Sequence, residues 1–348
     1  MFALAALAPR RSFGFFRFWT ILFVFVTAAL PSLLPEFLRR RVNPLPVRLR
    51  LAFERLGPTF IKFGQLIAST IGIVPERFSD EFQKCLDQVP PFPFEDVRRT
   101  VEEELHDTLE NLYASVDPAP LASASIAQVH AVRLRTGEEA VIKVVRPRIE
   151  DVITKDIAVM RRLAPIAEGL FRRLRVANLR EVVNEFERVI HEETDFVREA
   201  KYMDEYQELM AKVAGDKVVI PTVHWPLTSR RVLTMSRVDG IKVNRVEEIR
   251  AAGMDGEKLL RLGMRAWMEA TFKYGLFHGD IHAGNCVFID NDRCGFLDFG
   301  IMGRLDEKMR KSFLDFFLFM MTRDYKRLTK YMFDTGSIPP ETDREKVT

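Results

Sequence analysis

The sequence predicts an α+β fold of two lobes behind a helical N-terminal extension. Three observations predict it. Strand texture fills Leu121 to Val145, where "IAQVHAVRL" and "AVIKVV" flank a turn at Thr136-Gly137. A long helical region runs from about Leu179 to Val213, followed by two short strands in "KVVIPTV" and "RRVLTM". After "VDG" (Val238–Gly240) the chain reads as helical, apart from Val287–Ile289 and Gly295–Asp298. Strands with one long helix, succeeded by a helical half, describe α+β organisation. The 348 residues are enough for two ordinary domains or one two-lobed unit.

Ahead of the strands the chain is helical and punctuated by proline. Residues Phe18 to Leu34 carry no charge, between Arg10, Arg11 and Arg17 on one side and Arg39–Arg41 on the other. Seventeen residues sit at the short limit for crossing a bilayer, and Pro31 interrupts them. Phenylalanines and Trp19 beside a basic flank suit a membrane interface. Membrane insertion or interfacial anchoring is the expectation; a helix packed on the protein and a cleaved signal peptide are the alternatives. Arg39 to Pro46 reads as a linker, and a helical segment follows to about Gln88. "VPPFPFED" (Val89–Asp96) breaks it, Asp96 to Leu112 is an amphipathic helix, and "VDPAPL" breaks the chain again. The resulting division is a hydrophobic segment and linker at 1–45, a helical extension at 46–115, an N-lobe at 116–237 and an incomplete C-lobe at 238–348.

Charge and cysteine content exclude some classes. The 52 basic and 49 acidic residues are mixed throughout, so the net charge of +3 marks no nucleic-acid surface. Cys85, Cys286 and Cys294 form no CxxC pair and no zinc spacing, and read as reduced thiols in a cytosolic fold.

"LGPTFIKFGQLIAST" (Leu56–Thr70) places a charge in an apolar helix. Lys62, Gln65 and Ser69 line one narrow stripe, while Phe60, Ile61, Phe63, Leu66 and Ile67 cover much of the rest. A helix apolar nearly all round is buried, so its polar stripe faces something polar, unless Lys62 only snorkels to the surface.

The strongest chemical signal is "HGDIHAGNCVFIDNDRCGFLDFG", His278 to Gly300. Asn285 follows Asp280 by five residues, and Asp298-Phe299-Gly300 follows after two apolar runs joined by a polar Asp290–Arg293 turn. This is the layout of a kinase catalytic loop and metal site. Such a loop uses its aspartate to orient the attacking hydroxyl, and an amide oxygen with a second carboxylate to hold Mg²⁺, a hard cation that takes oxygen ligands. "AVIK" ends a strand at Lys143, in the position of the kinase lysine on the α- and β-phosphates. On the later helix Glu199 falls on the apolar face of Phe196, Met203, Tyr206, Met210 and Val213, where it needs a cationic partner; Lys143 is the candidate. Glu193 and Asp195 are either a second acidic pair near nucleotide and metal or a solvated helix face.

Two departures separate the chain from ordinary protein kinases. No GxGxxG precedes Lys143; "ASASIAQVH" (Ala122–His130) stands there and makes a stiffer loop. No A-P-E follows the DFG; "IMGRLDEKMRKSFLDFFLFMM" enters a helix within about five residues of Gly300. The usual peptide platform is therefore missing. The run Phe313–Met321 is too short to span a bilayer and reads as a core helix.

Together, KFGQ (Lys62–Gln65), ASAS (Ala122, Ser123, Ala124, Ser125), ETD (Glu193–Asp195) with Glu199, HGD…N and DFG resemble the ABC1/AarF/UbiB family of ADCK-like atypical kinases, over about Leu45 to Tyr331. The resemblance implies a protein-kinase-like fold. It also implies that Lys62 and Gln65 fold over the active site and block the peptide cleft. It implies a Lys143–Glu199 pair, Asp280 as the catalytic-loop aspartate, and Asn285 and Asp298 as metal ligands. The hinge would be Met235, Ser236, Arg237 and Val238, with backbone holding adenine. ATP or ADP with Mg²⁺ would be the cofactors. Family members support isoprenoid quinone biosynthesis, show ATPase activity, and associate with membranes and prenyl lipids. The implied partners are a membrane surface, a prenyl lipid or quinone precursor and quinone-biosynthesis proteins, with the kinase-like domain on the cytoplasmic side. Many bacterial members carry C-terminal transmembrane helices, and the sequence stops at "EKVT" before any such segment. Attachment would then rest on the N-terminus or on sequence not shown. Two rivals are a small-molecule phosphotransferase of the aminoglycoside or choline kinase type, which lacks a KFGQ helix, and a non-catalytic lipid-binding scaffold, which has no need of Lys143, Asp280, Asn285 and Asp298 together.

Overall fold

The computed structural model describes residues 13–33, 35, 42–69, 75–85, 89–170, 178–335 and 338. Arg39–Arg41 and Thr70 of the sequence reading lie outside them, as does the side chain of Ser69. The structure is a mixed helix and sheet, kinase-like fold with a helical N-terminal region. It forms two compact units: Met1–Arg198 with Val223–Arg237, and Glu199–Thr222 with Val238–Thr348.

The first unit opens with helices α1 (Phe13–Ala29), α2 (Leu45–Leu56), α3 (Pro58–Ser69) and α4 (Glu76–Phe82). The α1 helix is part of the one stretch, among the described residues, long and apolar enough to cross a membrane. Its Ile21, Val24 and Ala28 are buried, whereas Phe15, Phe16, Trp19, Phe23 and Val26 are exposed. The Phe25 ring meets Phe53 of α2 and Phe60 of α3 at 5.7 and 5.9 Å. Arg17 reaches across to α7 (Ile149–Leu170), where its Nε and Nη2 donate to the fully buried Asp156 carboxylate at 2.5 and 2.8 Å. Its Nη2 also donates to the Leu56 carbonyl at 2.7 Å.

Helices α5 (Phe94–Leu105) and α6 (Leu109–Leu112) lead into an antiparallel sheet of order β1-β2-β3-β5: β1 Tyr113–Ser123, β2 Ala127–Leu134, β3 Glu139–Val145 and β5 Val232–Ser236. Its core joins Val97 and Val101 of α5 to Tyr113, Val132, Ile142, Val144 and Val232. Burial pushes the Tyr113 phenol up to about 12, although its hydroxyl still bonds Thr234 at 2.8 Å. Gly137 turns the β2–β3 hairpin at φ +90°, a conformation that suits glycine.

Three sequence expectations in this unit are corrected. "VDPAPL" lies within β1 rather than breaking the chain. Its prolines lack N–H groups, but β1 is an edge strand and register shifts flank Pro120, so the ladder loses little. The helix expected over Asp96 to Leu112 stops at Leu105, where His106 takes a left-handed φ of 57°. The helical region Leu179 to Val213 is two helices, α8 (Leu179–Glu193) and α9 (Phe196–Val213). Asp195 makes the break: its Oδ1 accepts from the backbone of Val197 and Arg198 at 3.1 and 3.2 Å, which caps α9.

The second unit holds the rest of α9, with Met203, Tyr206 and Met210 buried. A four-stranded sheet has order β4-β9-β8-β6: β4 Val218–Val219, β6 Ile241–Lys242, β8 Cys286–Phe288 and β9 Cys294–Phe296. β8 and β9 are the expected hairpin, and Asp290 closes its turn by accepting from the backbone of Asp292 and Arg293. Helices α10 (Val246–Ala251) and α11 (Gly256–Glu269) precede β7 (Leu276–His278), which pairs with β10 (Met302–Arg304). This β10 strand stands where a helix was expected, and α12 (Glu307–Met321) starts only after Asp306 caps it. The run Phe313–Met321 is not a core helix: α12 buries no residue, and Phe313, Leu314, Phe317, Leu318, Met320 and Met321 are exposed. Its stripe of Ser312, Phe316 and Phe319 packs on Tyr331 of α13 (Tyr325–Asp334); periodicity reports an apolar stripe but not whether anything covers the remainder.

Candidate active-site residues

The expected residues are distributed over both units. In the first, Lys143 lies in β3, opposite Val129 of β2 and Leu233 of β5. Its half-buried ammonium stands 5.2 Å from the centroid of the fully buried Phe196 ring, a cation–π distance. Helix α3 is apolar and buried as the pattern requires, with Phe60, Ile61, Phe63 and Ile67 in the core, while Lys62 and Gln65 are half-buried. The Lys62 Nζ lies 3.0 Å from Glu193 Oε2 at the end of α8. Lys62 therefore faces an acid of the ETD motif instead of merely snorkelling. Phe63 packs on Phe186 of α8 at 5.0 Å and holds the two helices together below that pair. The glycine of KFGQ is a packing requirement: a Cβ on Gly64 would sit 2.9 Å from Phe53 Cδ2.

Ala122, Ser123, Ala124 and Ser125 span the end of β1 and the turn into β2. Ala124 N–H donates to the Ala127 carbonyl at 2.8 Å. Ser125 is fully buried and its hydroxyl has no hydrogen-bond partner among the described residues. Beneath the segment runs a buried polar chain that the sequence reading did not anticipate. The Phe92 backbone N–H donates to Gln128 Oε1 at 3.0 Å, the Gln128 amide meets His130 Nε2 at 2.8 Å, and His130 Nδ1 donates to the Asp117 carbonyl at 2.8 Å. Burial lowers the His130 pKa against the pull of Asp117. Of the residues expected at the hinge, Met235 and Ser236 close β5, and Arg237 N–H donates to the Glu139 carbonyl at 3.2 Å.

In the second unit the loop and the DFG form one hydrogen-bonded group. Asn285 Nδ2 donates to the Asp280 carboxylate at 3.2 Å and to the Asp280 carbonyl at 3.3 Å. Asn285 N–H donates to His282 O, and Asn285 O accepts from Leu297 N–H of the residue preceding Asp298, each at 2.9 Å. Loop and DFG thus share one backbone frame. Asp298 Oδ1 accepts from Gly300 N–H at 3.0 Å, which turns the DFG. Glu199 is 4% exposed, on the buried face that the periodicity gave it, and its carboxylate accepts from Phe299 N–H at 3.4 Å. His278 supports the loop from inside: its Nδ1 accepts from Asp280 N–H at 3.2 Å, and its ring packs on Phe299 at 5.0 Å. Burial lowers the His278 pKa although Asp298 and Asp280 pull it up. Beside Asn285, burial and then Asp280 push the Cys286 thiol up to about 11, so it stays a protonated thiol.

Among the described residues no group of three or more His, Cys, Asp or Glu side chains could hold a metal by itself. The donor set fits Mg²⁺ in another way. With Nδ2 spent on Asp280, the Asn285 amide offers Oδ1, and Asp298 adds carboxylate oxygen. One or two protein oxygens completed by phosphate and water is the usual habit of Mg²⁺.

The model of the ABC1 atypical kinase-like domain matches residues 84–332. The chain is also 40% identical over 301 residues to two curated proteins of Mycobacterium tuberculosis, "Uncharacterized protein Rv0647c" (strain ATCC 25618 / H37Rv) and "Uncharacterized protein MT0675" (strain CDC 1551 / Oshkosh). Each match covers 84% of this chain and 61% of the relative, so the chain spans less than two thirds of the relatives' length. Among solved structures, the Rv3197–erythromycin complex from the same organism aligns with a TM-score of 0.53 at 23% identity, over 80% of this chain and 70% of that one, a likeness of fold alone.

Proposed function

The chain belongs to the ABC1 atypical kinase-like family, and from that premise we propose that it binds ATP with Mg²⁺ and acts as a kinase-type ATPase or phosphotransferase at a membrane surface, in support of isoprenoid quinone biosynthesis. One observation carries the nucleotide reading: Asn285 is oriented by Asp280 and joined through Leu297 to the DFG, so two oxygen donors and the catalytic-loop carboxylate belong to one frame. In this reading Asn285 and Asp298 hold the metal, Asp280 accepts or orients the proton of the attacking hydroxyl, and Lys143 binds the α- and β-phosphates. Bound Mg²⁺ supplies charge neutralisation for the phosphates. Glu199, by accepting from Phe299 N–H, fixes the DFG backbone that presents Asp298. Lys62, paired with Glu193, tunes nucleotide handling. The membrane and quinone parts rest on the family and on the exposed aromatic face of α1, which suits a lipid interface. The proposed partner is a prenyl lipid or quinone precursor, met on the cytoplasmic side.

ATP turnover by the purified protein, with and without liposomes and prenylated quinone precursors, tests the reading. Mg-dependent turnover that rises with lipid supports it. Absence of Mg-ATP binding removes the catalytic reading in favour of a lipid-binding scaffold. A cycle of Lys143→Met and Glu199→Gln adds a check: coupled losses support the kinase-type pair, whereas additive losses argue against it.

A further inference from the structure

Arg146 follows Lys143 by three residues, just past the end of β3, and has no part in the reading so far. Its side chain gathers four acceptors. The Nε donates to the Ala124 carbonyl at 2.9 Å. The Nη2 donates to Ser123 Oγ at 2.9 Å, to the Pro90 carbonyl at 3.1 Å and to the Val89 carbonyl at 3.4 Å. The guanidinium also lies 5.3 Å over the Phe92 ring, and the Arg146 backbone N–H donates to the Ile126 carbonyl at 2.8 Å. All these groups belong to the first compact unit.

The acceptors fall into two sets. Ser123, Ala124 and Ile126 belong to the Ala-rich segment in the place of a glycine loop; Val89, Pro90 and Phe92 belong to the proline-rich stretch before α5. A second tie runs in parallel, because Val89 N–H donates to the Ser123 carbonyl at 3.3 Å and Gln128 takes the Phe92 N–H. A glycine loop is loose by backbone entropy; this one is braced to a stretch whose prolines are themselves stiff. Only a planar fork with several donors can reach so many acceptors from one side chain; a lysine cannot. Each of the four side-chain acceptors is neutral, so the cation behind the loop keeps its charge.

We propose that Arg146 is a positioning residue that holds the Ala122–Ser125 loop rigid against the 89–92 stretch and thereby sets how the loop receives nucleotide phosphates. The proposal rests on the nucleotide-binding reading above. Hydrogen exchange on the nucleotide-free protein tests the brace, and Mg-ATP kinetics test its consequence. In Arg146→Lys, the amides of residues 122–126 should exchange about tenfold faster or more, while α8 and the second unit keep their parent rates. The Mg-ATP KM should rise about tenfold, with kcat changed less. Loop exchange equal to the parent overturns the proposal, as does exchange that rises equally throughout the unit, since that is a structural role alone. If Arg146→Lys does not fold, Ser123→Ala removes one tie: a rise of a few fold confined to 122–126 supports the brace, and no rise overturns it. A parent protein that binds no Mg-ATP defeats the nucleotide reading instead, and loop exchange then decides the brace by itself.

Discussion

The ammonium of Lys62 and the carboxylate of Glu193 stand 3.0 Å apart, both largely buried, one from the KFGQ helix and the other from the end of α8. Removing either leaves its partner half-desolvated. Lys62→Ala should cost about 1–2 kcal/mol, less than a fully buried pair because 22% of the lysine side chain is exposed. The double variant Lys62→Ala/Glu193→Gln should cost less than the sum. Urea unfolding checks the stability, and ATP and ADP affinities with autophosphorylation check the tuning. If all three of the latter match the parent, the pair is structural only.

Asp298→Asn should weaken Mg-nucleotide binding, because it removes a charged ligand from a hard cation while an asparagine can still accept from Gly300 N–H. The expected outcome is a thermal shift with Mg-ATP well below the parent's and unchanged melting without nucleotide. An identical shift would take Asp298 out of the metal site.

Ser125→Ala should be neutral or stabilising by about 1 kcal/mol, since its buried hydroxyl has no partner among the described residues to lose. Chemical denaturation measures this. A clear destabilisation would mean that the hydroxyl has a partner after all, such as an ordered water.

Gly64→Ala should destabilise. Helix propensity favours alanine by about 1 kcal/mol, but the new methyl meets the Phe53 ring, which is itself stacked on Phe82 at 4.8 Å and meets Phe60 edge-on at 5.8 Å, and has nowhere to go. Overpacking of this kind costs about 1–3 kcal/mol, so the net loss should be up to about 2 kcal/mol. A variant as stable as the parent would show that the Phe53 cluster yields.

His130 gives a pH dependence with a definite sign. Burial holds its folded pKa below the ordinary 6.5, so the unfolded chain takes up a proton first as pH falls. Its contribution is complete above 6.5 and is lost below it. Urea midpoints at pH 8 and pH 5 should therefore differ more in the parent than in His130→Asn; equal differences would remove His130 from the acid response.

Much of this was legible in the sequence, and the part that was shares one property: it is local. The Asp280–Asn285 contact, the β8–β9 hairpin and the DFG turn are all set by spacings within about twenty residues, and the buried face of Glu199 follows from helical period alone. What escaped was long-range or depended on an edge. β1 accepts prolines because it is outermost in its sheet. The Arg146 brace joins residues 56 and 57 positions apart, and "VVRP" read alone says only that a strand ends. Glu193 could not be matched to Lys62 from spacing, since 131 positions separate them. The exposure of α12 escaped for the opposite reason: its apolar stripe is real, and only tertiary structure tells how little of it is covered.

The grip of Arg17 on Asp156 bears on how the protein can be handled. Investigators commonly trim a greasy leader to improve solubility. Here such trimming would withdraw the guanidinium from a carboxylate with no solvent exposure, and would uncover Phe53 and Phe60 where the Phe25 ring now rests. A stranded buried charge of that kind is worth about 3–5 kcal/mol, a large share of what holds an ordinary domain folded. Detergent or lipid around the intact leader is therefore the safer preparation than its removal, and loss of activity in a shortened chain would report a damaged scaffold before it reported a missing membrane.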